Sequence, residues 1–212
     1  GGVARRRGRD AGRRCIGAVR PGWRMSGAVV GLAIEAATEH VEVLVQAEDG
    51  GTLAHEIEDV GHGHTRRLTP MVALALGRAG VTPCDLHWVA VDLGPGSFTG
   101  VRVGFATAEA LALASGARIL GASSLSSLAL ACGAQRALVV PLVPAGRRDV
   151  YAGFFRAGSR GDVTLLASPR VGPTIEVLAA VSEAHAVAGV KAVRFGGPGA
   201  RREQEHLESA YP

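Results

Sequence analysis

The chain has few aromatic residues, few cysteines and no long apolar run, and each scarcity argues against a class of protein. Aromatic residues make up 4% of the 212 residues, which indicates close-packed helices on a sheet rather than an aromatic-rich binding surface. The three cysteines, Cys15, Cys84 and Cys132, show no metal-binding or redox spacing, so we expect free thiols in a reducing cytosol. No apolar run is long enough to span a membrane, and the first residues lack the apolar middle of a secretory signal. These features predict a cytoplasmic protein without a membrane partner.

Basic charge is concentrated at the start of the chain. Residues 1–24 hold eight arginines and one aspartate, a net charge of +7, whereas the whole chain carries +4. Residues 25–212 therefore carry −3, without the clustered basic residues that a nucleic-acid-binding module needs. An arginine- and glycine-rich segment buries too little apolar area to order itself, so we expect residues 1–24 to be a disordered extension. Met25, just before the first predicted strand, favours a non-native origin for that extension.

The order of apolar segments predicts an α/β protein with two lobes. Three short strands are followed by alternating helices and strands, and after residue 133 the pattern starts again. The main predicted elements are strands at 29–34, 41–46, 53–57, 86–92 and 118–120, with helices at 65–78 and 101–114. This order matches the first lobe of the actin-like ATPase (ribonuclease H-like) architecture. We therefore expect a first lobe over 25–132 and a second over 133–212, the second incomplete at its C-terminus.

A glycine-rich turn between a strand and a helix is the most informative motif. Glycines at such a turn allow close approach of the backbone, and the helix start offers unpaired N–H groups. The spacing fits neither a Walker loop nor G-x-G-x-x-G, and Ser97 is predicted to cap the following helix. The motif is Gly94, Pro95, Gly96, Ser97, Phe98, Thr99 and Gly100, continuing to Gly104. By residue identity it closely resembles the signature of the TsaB family, the non-catalytic subunit of the bacterial machinery that makes threonylcarbamoyladenosine in tRNA.

The resemblance extends over about residues 29–171 and implies a function. It implies a scaffold that binds a TsaD-like catalytic subunit and, with a TsaE-like small ATPase, supports threonylcarbamoyl transfer to N6 of adenosine 37. The tRNA would be met through the complex, and this chain would not itself be an enzyme. A self-associating homodimer, an independent peptidase-like or kinase-like enzyme and a nucleic-acid-binding module remain alternatives.

The two helices of the first lobe are predicted to form the partner interface. Both are apolar on nearly every side, which requires cover beyond their own sheet. The alternative is that they cover each other within the monomer. In the family these two helices contact the catalytic partner. The predicted interface consists of Leu68, Met71, Val72 and Ala75, with Leu74 and Ala73 as the alternative surface, and of Val101, Phe105 and the polar rim Arg102 and Glu109.

At positions where related proteins have metal-binding residues, this chain has residues that do not suit a metal ion. Ser124 and Leu128 stand where TsaD proteins have two iron-binding histidines, and neither serine nor leucine suits iron. Glu35 and Pro144 stand where actin-like ATPases have acids that hold Mg²⁺. We therefore expect no catalytic, metal-binding or cofactor-binding residues, with residual nucleotide binding between the lobes left open. His64 is interpreted as a capping or surface residue before a helix.

Overall fold

The computed structural model describes residues 29–211 and contains two β-sheets, each with helices against it. The expectation for residues 1–24 lies outside the described residues. The first sheet draws its strands from residues 30–122 and the second from residues 137–196. This is the two-lobed α/β arrangement of the actin-like fold predicted from the element order.

The first sheet has the strand order β3-β2-β1-β4-β5. Its first three strands form an antiparallel meander, whereas β4 and β5 run parallel to β1 because a helix precedes each of them. The strands are β1 (Val30–Glu35), β2 (His40–Ala47), β3 (Thr52–Asp59), β4 (Leu86–Asp92) and β5 (Arg118–Ala122). The helices are α1 (His64–Ala79) and α2 (Phe98–Ser115), which pack on this sheet, and α3 (Ser124–Ala131), which contacts β6–β8 of the second sheet. A single 3₁₀ turn, Pro83–Asp85, precedes β4.

The second sheet repeats the first four positions of that order, as β8-β7-β6-β9. Here again the first three strands are antiparallel and the fourth is parallel to the first. The strands are β6 (Ala137–Ala145), β7 (Asp149–Ala157), β8 (Val163–Pro173) and β9 (Ala192–Gly196). The helices are α4 (Thr174–Ala188), α5 (Pro198–Arg202) and α6 (Gln204–Ala210). The last dozen residues, for which the sequence predicts no element, include α6.

Each sheet has its own apolar core. In the first lobe alternating residues of β1, β2 and β4 face α1 and α2, including the fully buried Leu32, Val43 and Val89. In the second lobe Phe154 and Leu142 pack against α4. These cores form because every second residue of the strands is apolar and because the helices carry an apolar stripe.

The structure corrects the predicted interface surface of α1. Leu68, Met71, Val72 and Ala75 all belong to the first core, and Met71 retains only 4% of its accessible surface. Ala73 and Leu74, the alternative, are exposed. An α-helix that is apolar all round can bury either side, and burial against β2 and β3 selected the stripe that is continuous along α1.

Two further sequence expectations concern cysteines and membranes. Cys132 is a free, exposed thiol, as the sequence predicts for this residue. Among residues 29–211, no helix combines the length and the apolarity that a membrane crossing requires.

Candidate functional site

The glycine-rich loop after β4 is held at three points. Gly94 N donates a hydrogen bond to Asp92 Oδ1 at 2.6 Å, and Ser97 N donates to Ala37 O at 2.6 Å. Ser97 Oγ accepts a hydrogen bond from Gly100 N at 3.1 Å, which confirms the predicted cap of α2. The loop therefore joins the end of β4, the turn after β1 and the first turn of α2.

Two glycines of this loop are required by close approach to the turn after β1. A Cβ atom on Gly96 would lie 2.1 Å from Ala37 O, and one on Gly100 would lie 1.8 Å from Ala36 O. Both distances are far below van der Waals contact, so any larger residue would push the turn and the helix apart. Gly94 has φ of +87°, a conformation that favours glycine.

The turn of residues 36–38, which we call the anchor turn, also holds the start of α1. The His64 side chain donates from Nε2 to Thr38 O at 2.7 Å, because a carbonyl oxygen can only accept. His64 is only 3% exposed, so its interpretation as a surface residue is wrong. The anchor turn therefore connects β1 with the first turns of both α1 and α2.

Glu35, at the end of β1, shapes the anchor turn. Its Oε1 accepts hydrogen bonds from Ala37 N at 2.8 Å and Thr38 N at 3.1 Å, and its Oε2 accepts one from Thr38 Oγ1 at 3.2 Å. Burial raises the pKa of Glu35 from 4.5 to about 7, the hydrogen bonds oppose that shift, and the negative charge of Asp92 adds to it. The carboxyl group thus titrates near neutral pH.

Asp92, at the end of β4, is a buried carboxyl group beside the half-buried Glu35. Ile34 is in register with Val91, so Glu35 and Asp92 occupy the next positions on adjacent parallel strands. Asp92 Oδ1 accepts from Ser124 Oγ at 2.7 Å, in addition to Gly94 N. Burial raises the pKa of Asp92, and its hydrogen bonds with Ser124 and Gly94 oppose the rise.

Both carboxyl groups line a cavity of about 370 Å³ that is open to solvent. Residues from both lobes form it, because Pro198 and Arg201 of α5 face Glu35 and Asp92 of the first sheet. The other lining residues are Thr38, Glu39, His40, Glu42, Ile57, Ser124, Ser127, Leu128 and Ala131. Among the charged side chains of this lining, four carboxyl groups face one arginine, which suits cations better than phosphate groups.

The positions that hold ligands in related proteins have structural roles in the described chain. Ser124 is buried on Asp92, and Leu128 packs beside the core formed by Leu125 and Val139. Pro144 lies in β6, where it pairs with Val150. Within residues 29–211, no group of three or more His, Cys, Asp or Glu side chains is arranged to hold a metal ion.

The outer side of α1 and α2 forms an exposed apolar surface, which we call the helix face. Its large apolar side chains are Leu74 of α1 and Phe98, Phe105 and Leu113 of α2. Phe98 is 70% exposed and Leu113 is 86% exposed. The Arg102 guanidinium lies 4.0 Å from the centre of the Phe98 ring, and Glu109 is exposed one turn beyond Phe105. On α2 the helix face therefore alternates apolar side chains with the two charged ones.

Of the predicted residues on α2, Arg102, Phe105 and Glu109 lie on the helix face, and Val101 is half-buried. The sequence places Phe98 only in the loop motif and does not single out Leu113. The residues at 98, 102, 105, 109 and 113 recur every three or four positions, as one side of a helix requires. That spacing identifies Phe98 and Leu113 once α2 is known to begin at Phe98.

The fold and the glycine loop place the chain among actin-like α/β proteins, and comparisons with known proteins narrow this class. The family model described as "TsaD: tRNA N6-adenosine threonylcarbamoyltransferase" matches residues 40–168. The solved structure of YeaZ from Pseudomonas aeruginosa is 32% identical, with a TM-score of 0.59, over 68% of this chain and 67% of that one. The TsaB protein of Escherichia coli is 41% identical over 98 residues, 46% of this chain and 42% of its own length.

Mycobacterial relatives are also similar. An uncharacterized protein of Mycobacterium tuberculosis is 34% identical over 74% of this chain and 69% of its own length. One from Mycobacterium leprae is 38% identical over 69% of this chain. The chain belongs to the TsaB (YeaZ) family. It spans only 39% of the M. leprae protein and 42% of the E. coli protein.

Proposed function

We propose that this chain is a non-catalytic scaffold subunit in the synthesis of threonylcarbamoyladenosine in tRNA. Its family relatives are named as biosynthesis proteins for that modification. In this proposal it binds a TsaD-like catalytic subunit through the helix face and holds that subunit in an active arrangement. A TsaE-like small ATPase completes the assembly, and tRNA is met through the complex.

The observation that carries this proposal is the helix face itself. Large apolar side chains on adjacent helices, with Arg102 and Glu109 between those of α2, have the composition of a protein–protein contact rather than of a solvent-facing surface. Phe98 and Leu113 lie at opposite ends of α2, so the apolar side chains are spread along the whole helix rather than isolated at one point.

A scaffold role is supported by what the interlobe cavity contains. Two of its carboxyl groups already accept hydrogen bonds within the chain: Glu35 from the anchor turn, and Asp92 from Gly94 N and the Ser124 hydroxyl. The four acidic side chains of the lining repel the phosphates of a nucleotide, and Arg201 is the arginine that lines the cavity with them. We therefore propose that the chain works without a nucleotide of its own. The proposal extends to a metal cofactor because, among residues 29–211, no three His, Cys, Asp or Glu side chains are arranged to hold an ion.

A homodimer through the same helices is the second candidate. The helix face is apolar enough to meet another copy, and two copies would bury the same surface that a catalytic subunit would cover. The two proposals differ in whether the helix face stays available when a TsaD-like protein is added.

The test is to mix the purified chain with a TsaD-like protein and to measure complex mass and adenosine modification together. We expect a one-to-one complex and modification that depends on this chain. Leu74→Glu and Leu113→Glu should abolish both while leaving the circular dichroism spectrum and melting temperature unchanged, because these side chains are exposed in the isolated chain.

A matched control lies in the second lobe. Ile175 of α4 is 73% exposed, so Ile175→Glu introduces the same charge on an exposed apolar position outside the helix face. It should leave complex formation intact. Normal binding by the Leu74→Glu and Leu113→Glu variants, or loss of binding with Ile175→Glu alone, would refute the helix face as the interface.

A further inference from the structure

The anchor turn connects the interlobe cavity to the helix face through hydrogen bonds. On the cavity side it is held by Glu35, which accepts from Ala37 N and Thr38 N. On the helix side its carbonyl oxygens accept from His64 and from Ser97 N. The anchor turn is thus hydrogen-bonded to the carboxyl group of Glu35 on one side and to the beginnings of α1 and α2 on the other.

Asp92, the second carboxyl group of the cavity, is bonded directly to the glycine-rich loop. Asp92 accepts from Gly94 N, and Gly94 O accepts from Ser124 N at 2.9 Å. The loop of residues 94–100 is therefore tied to Asp92 at its first residue and to the anchor turn at Ser97. Glu35 and Asp92 are neighbours on the adjacent strands β1 and β4. Repulsion between the two carboxylates therefore affects both points at which this loop is held, Gly94 through Asp92 and Ser97 through the anchor turn.

We infer that Glu35 is a positioning residue that couples the charge of the interlobe cavity to the helix face, so that ionisation of Glu35 weakens binding of a protein partner there. This inference rests on the proposed function for its binding readout. With Glu35 protonated, Oε1 still accepts from the two backbone N–H groups and the cavity holds one charge fewer. With Glu35 ionised, the hydrogen bonds from the anchor turn strengthen, but the loss of hydration, which is the largest cause of the raised pKa, and the charge of Asp92 favour movement of the carboxylate towards the open cavity and away from the turn. The first turns of α1 and α2 are then held less firmly.

The groups around Glu35 set the direction of this effect. Carboxylates face the same cavity from β2 and the turn before it (Glu42 and Glu39) and from β4 (Asp92), and these add negative charge. Arg201 of α5 supplies the positive charge, His40 of β2 also lines the cavity, and the Glu42 carboxylate lies 2.6 Å from His55 Nε2. Burial and Asp92 keep the pKa of Glu35 near 7, so the switch falls in the physiological range.

The first experiment uses the full chain alone and does not depend on any partner. Amide ¹H–¹⁵N shifts of Ser97, Gly94 and Ala37 are recorded from pH 5.5 to 8.5. We expect all three to titrate with one midpoint near 7. Glu35→Gln keeps an oxygen that accepts from the anchor turn but cannot ionise, so the titration should disappear. Glu39→Gln removes the same charge from the same cavity without a side-chain bond to the anchor turn, and it should keep the titration.

Asp92→Asn provides a second, independent variant. Removing the neighbouring charge should move the midpoint to lower pH without abolishing the titration, because Asp92 contributes to the raised pKa of Glu35. A purely structural role for Glu35 would leave the midpoint where it is. Persistence of the titration at Ser97 in a folded Glu35→Gln variant, or an unchanged midpoint in Asp92→Asn, would overturn the coupling.

The second experiment measures affinity for a TsaD-like protein over the same pH range. We expect binding at pH 6 to be tighter than at pH 8 by about fivefold, at the lower end of measured couplings between sites, and pH-independent binding by Glu35→Gln. If the wild-type chain does not bind at any pH, the proposed function fails while the amide titration still decides the coupling. Binding with the same pH dependence in Glu35→Gln would overturn the coupling and leave the proposed function standing.

Discussion

The two lobes use the same backbone arrangement at the end of their fourth strand, but only the first lobe combines it with buried carboxyl groups. Gly94, Gly96 and Gly100 come after β4, and Gly197 and Gly199 come after β9. In the first lobe a Cβ on Gly96 would meet Ala37 O, and in the second a Cβ on Gly199 would lie 2.8 Å from Leu142 O. Each lobe thus brings the loop after its fourth strand against the chain of its first strand.

The two lobes differ in the helix that the glycine loop leads into and in the residues that end the neighbouring strands. In the first lobe the loop leads into the 18-residue helix α2, whereas in the second it leads into the five-residue helix α5. Strands β1 and β4 of the first lobe end in Glu35 and Asp92, whereas β6 ends in Ala145 and β9 in Gly196. The close approach of the glycine loop to the first strand is common to both lobes. The carboxyl groups of Glu35 and Asp92 and the long exposed helix α2 occur in the first lobe and not at the matching positions of the second.

The largest effect is expected where α1 meets the first sheet. Met71→Glu places a carboxylate in a closed apolar core, and such a charge costs about 3–5 kcal/mol when it has no partner. Leu74→Glu, three residues further along the same helix, should change the melting temperature little because Leu74 is exposed. Thermal unfolding measured by circular dichroism compares the two. A stable Met71→Glu variant would reverse the assignment of the two sides of α1.

The next largest effect tests whether the shared glycine arrangement is equally tight in both lobes. Gly100→Ala brings a Cβ to 1.8 Å from Ala36 O and should cost about 2–3 kcal/mol, since α2 must move away from the anchor turn. Gly199→Ala starts from 2.8 Å and should cost less. Urea unfolding of both variants measures the order. Equal losses would show that the two turns are under the same constraint.

A smaller effect concerns the pH dependence that only the first lobe should show. Because the pKa of Glu35 is raised from 4.5 to about 7, the folded chain holds a proton that the unfolded chain releases. The free energy of unfolding should therefore fall as pH rises from about 4.5 to about 7, and level off above that. Glu35→Gln should flatten this interval in urea titrations at several pH values, and Glu39→Gln should not. An equally steep curve for Glu35→Gln would assign the dependence to another group.

The smallest effect is expected in the second lobe, where α5 holds a hairpin by hydrogen bonds to neutral backbone groups. Arg202 donates to Gly146 O at 2.9 Å and to Asp149 O at 2.6 Å, across the turn between β6 and β7. Arg202→Ala should lower the free energy of unfolding by about 1–2 kcal/mol, independently of pH above 5. Arg202→Lys should retain part of that stability. A loss as large as that of Met71→Glu would mean that the second lobe depends on α5 more than its length suggests.

Much of the fold can be predicted because its signals are local. The predicted strand at 86–92 coincides with β4, and the predicted end of the long helix at residue 114 lies one residue before its observed end at Ser115. The cap at Ser97 is predictable because serine beside a glycine turn has one short-range partner, Gly100 N. The sequence places the beginning of α2 three residues late, because Phe98, Thr99 and Gly100 belong to a glycine-rich motif that is typical of a loop.

The candidate site is harder to predict because its contacts join residues whose sequence context does not reveal them. The sequence identifies Glu35 only as a misfit for Mg²⁺, and its role in the anchor turn depends on Ala37 and Thr38 folding back on it. Nothing in the sequence singles out Asp92, since its partner Ser124 lies 32 residues away. A histidine before a helix gives no sign that the carbonyl oxygen of Thr38, 26 residues earlier, will accept a hydrogen bond from it. The burial of His64 therefore cannot be predicted from the sequence either.

The sequence by itself determined the order of the elements, the close approach at the glycine loop and the family, because these depend on residue identity and short-range periodicity. Tertiary structure decided which apolar side of α1 packs on the sheet, the stripe of Leu68, Met71, Val72 and Ala75 or the side of Ala73 and Leu74, because only packing against β2 and β3 buries one of them. It also decided that Glu35 and Asp92 become neighbours, because parallel pairing of β1 and β4 brings together residues 57 positions apart. The burial and the repulsion that raise the pKa of Glu35 exist only once that pairing has formed.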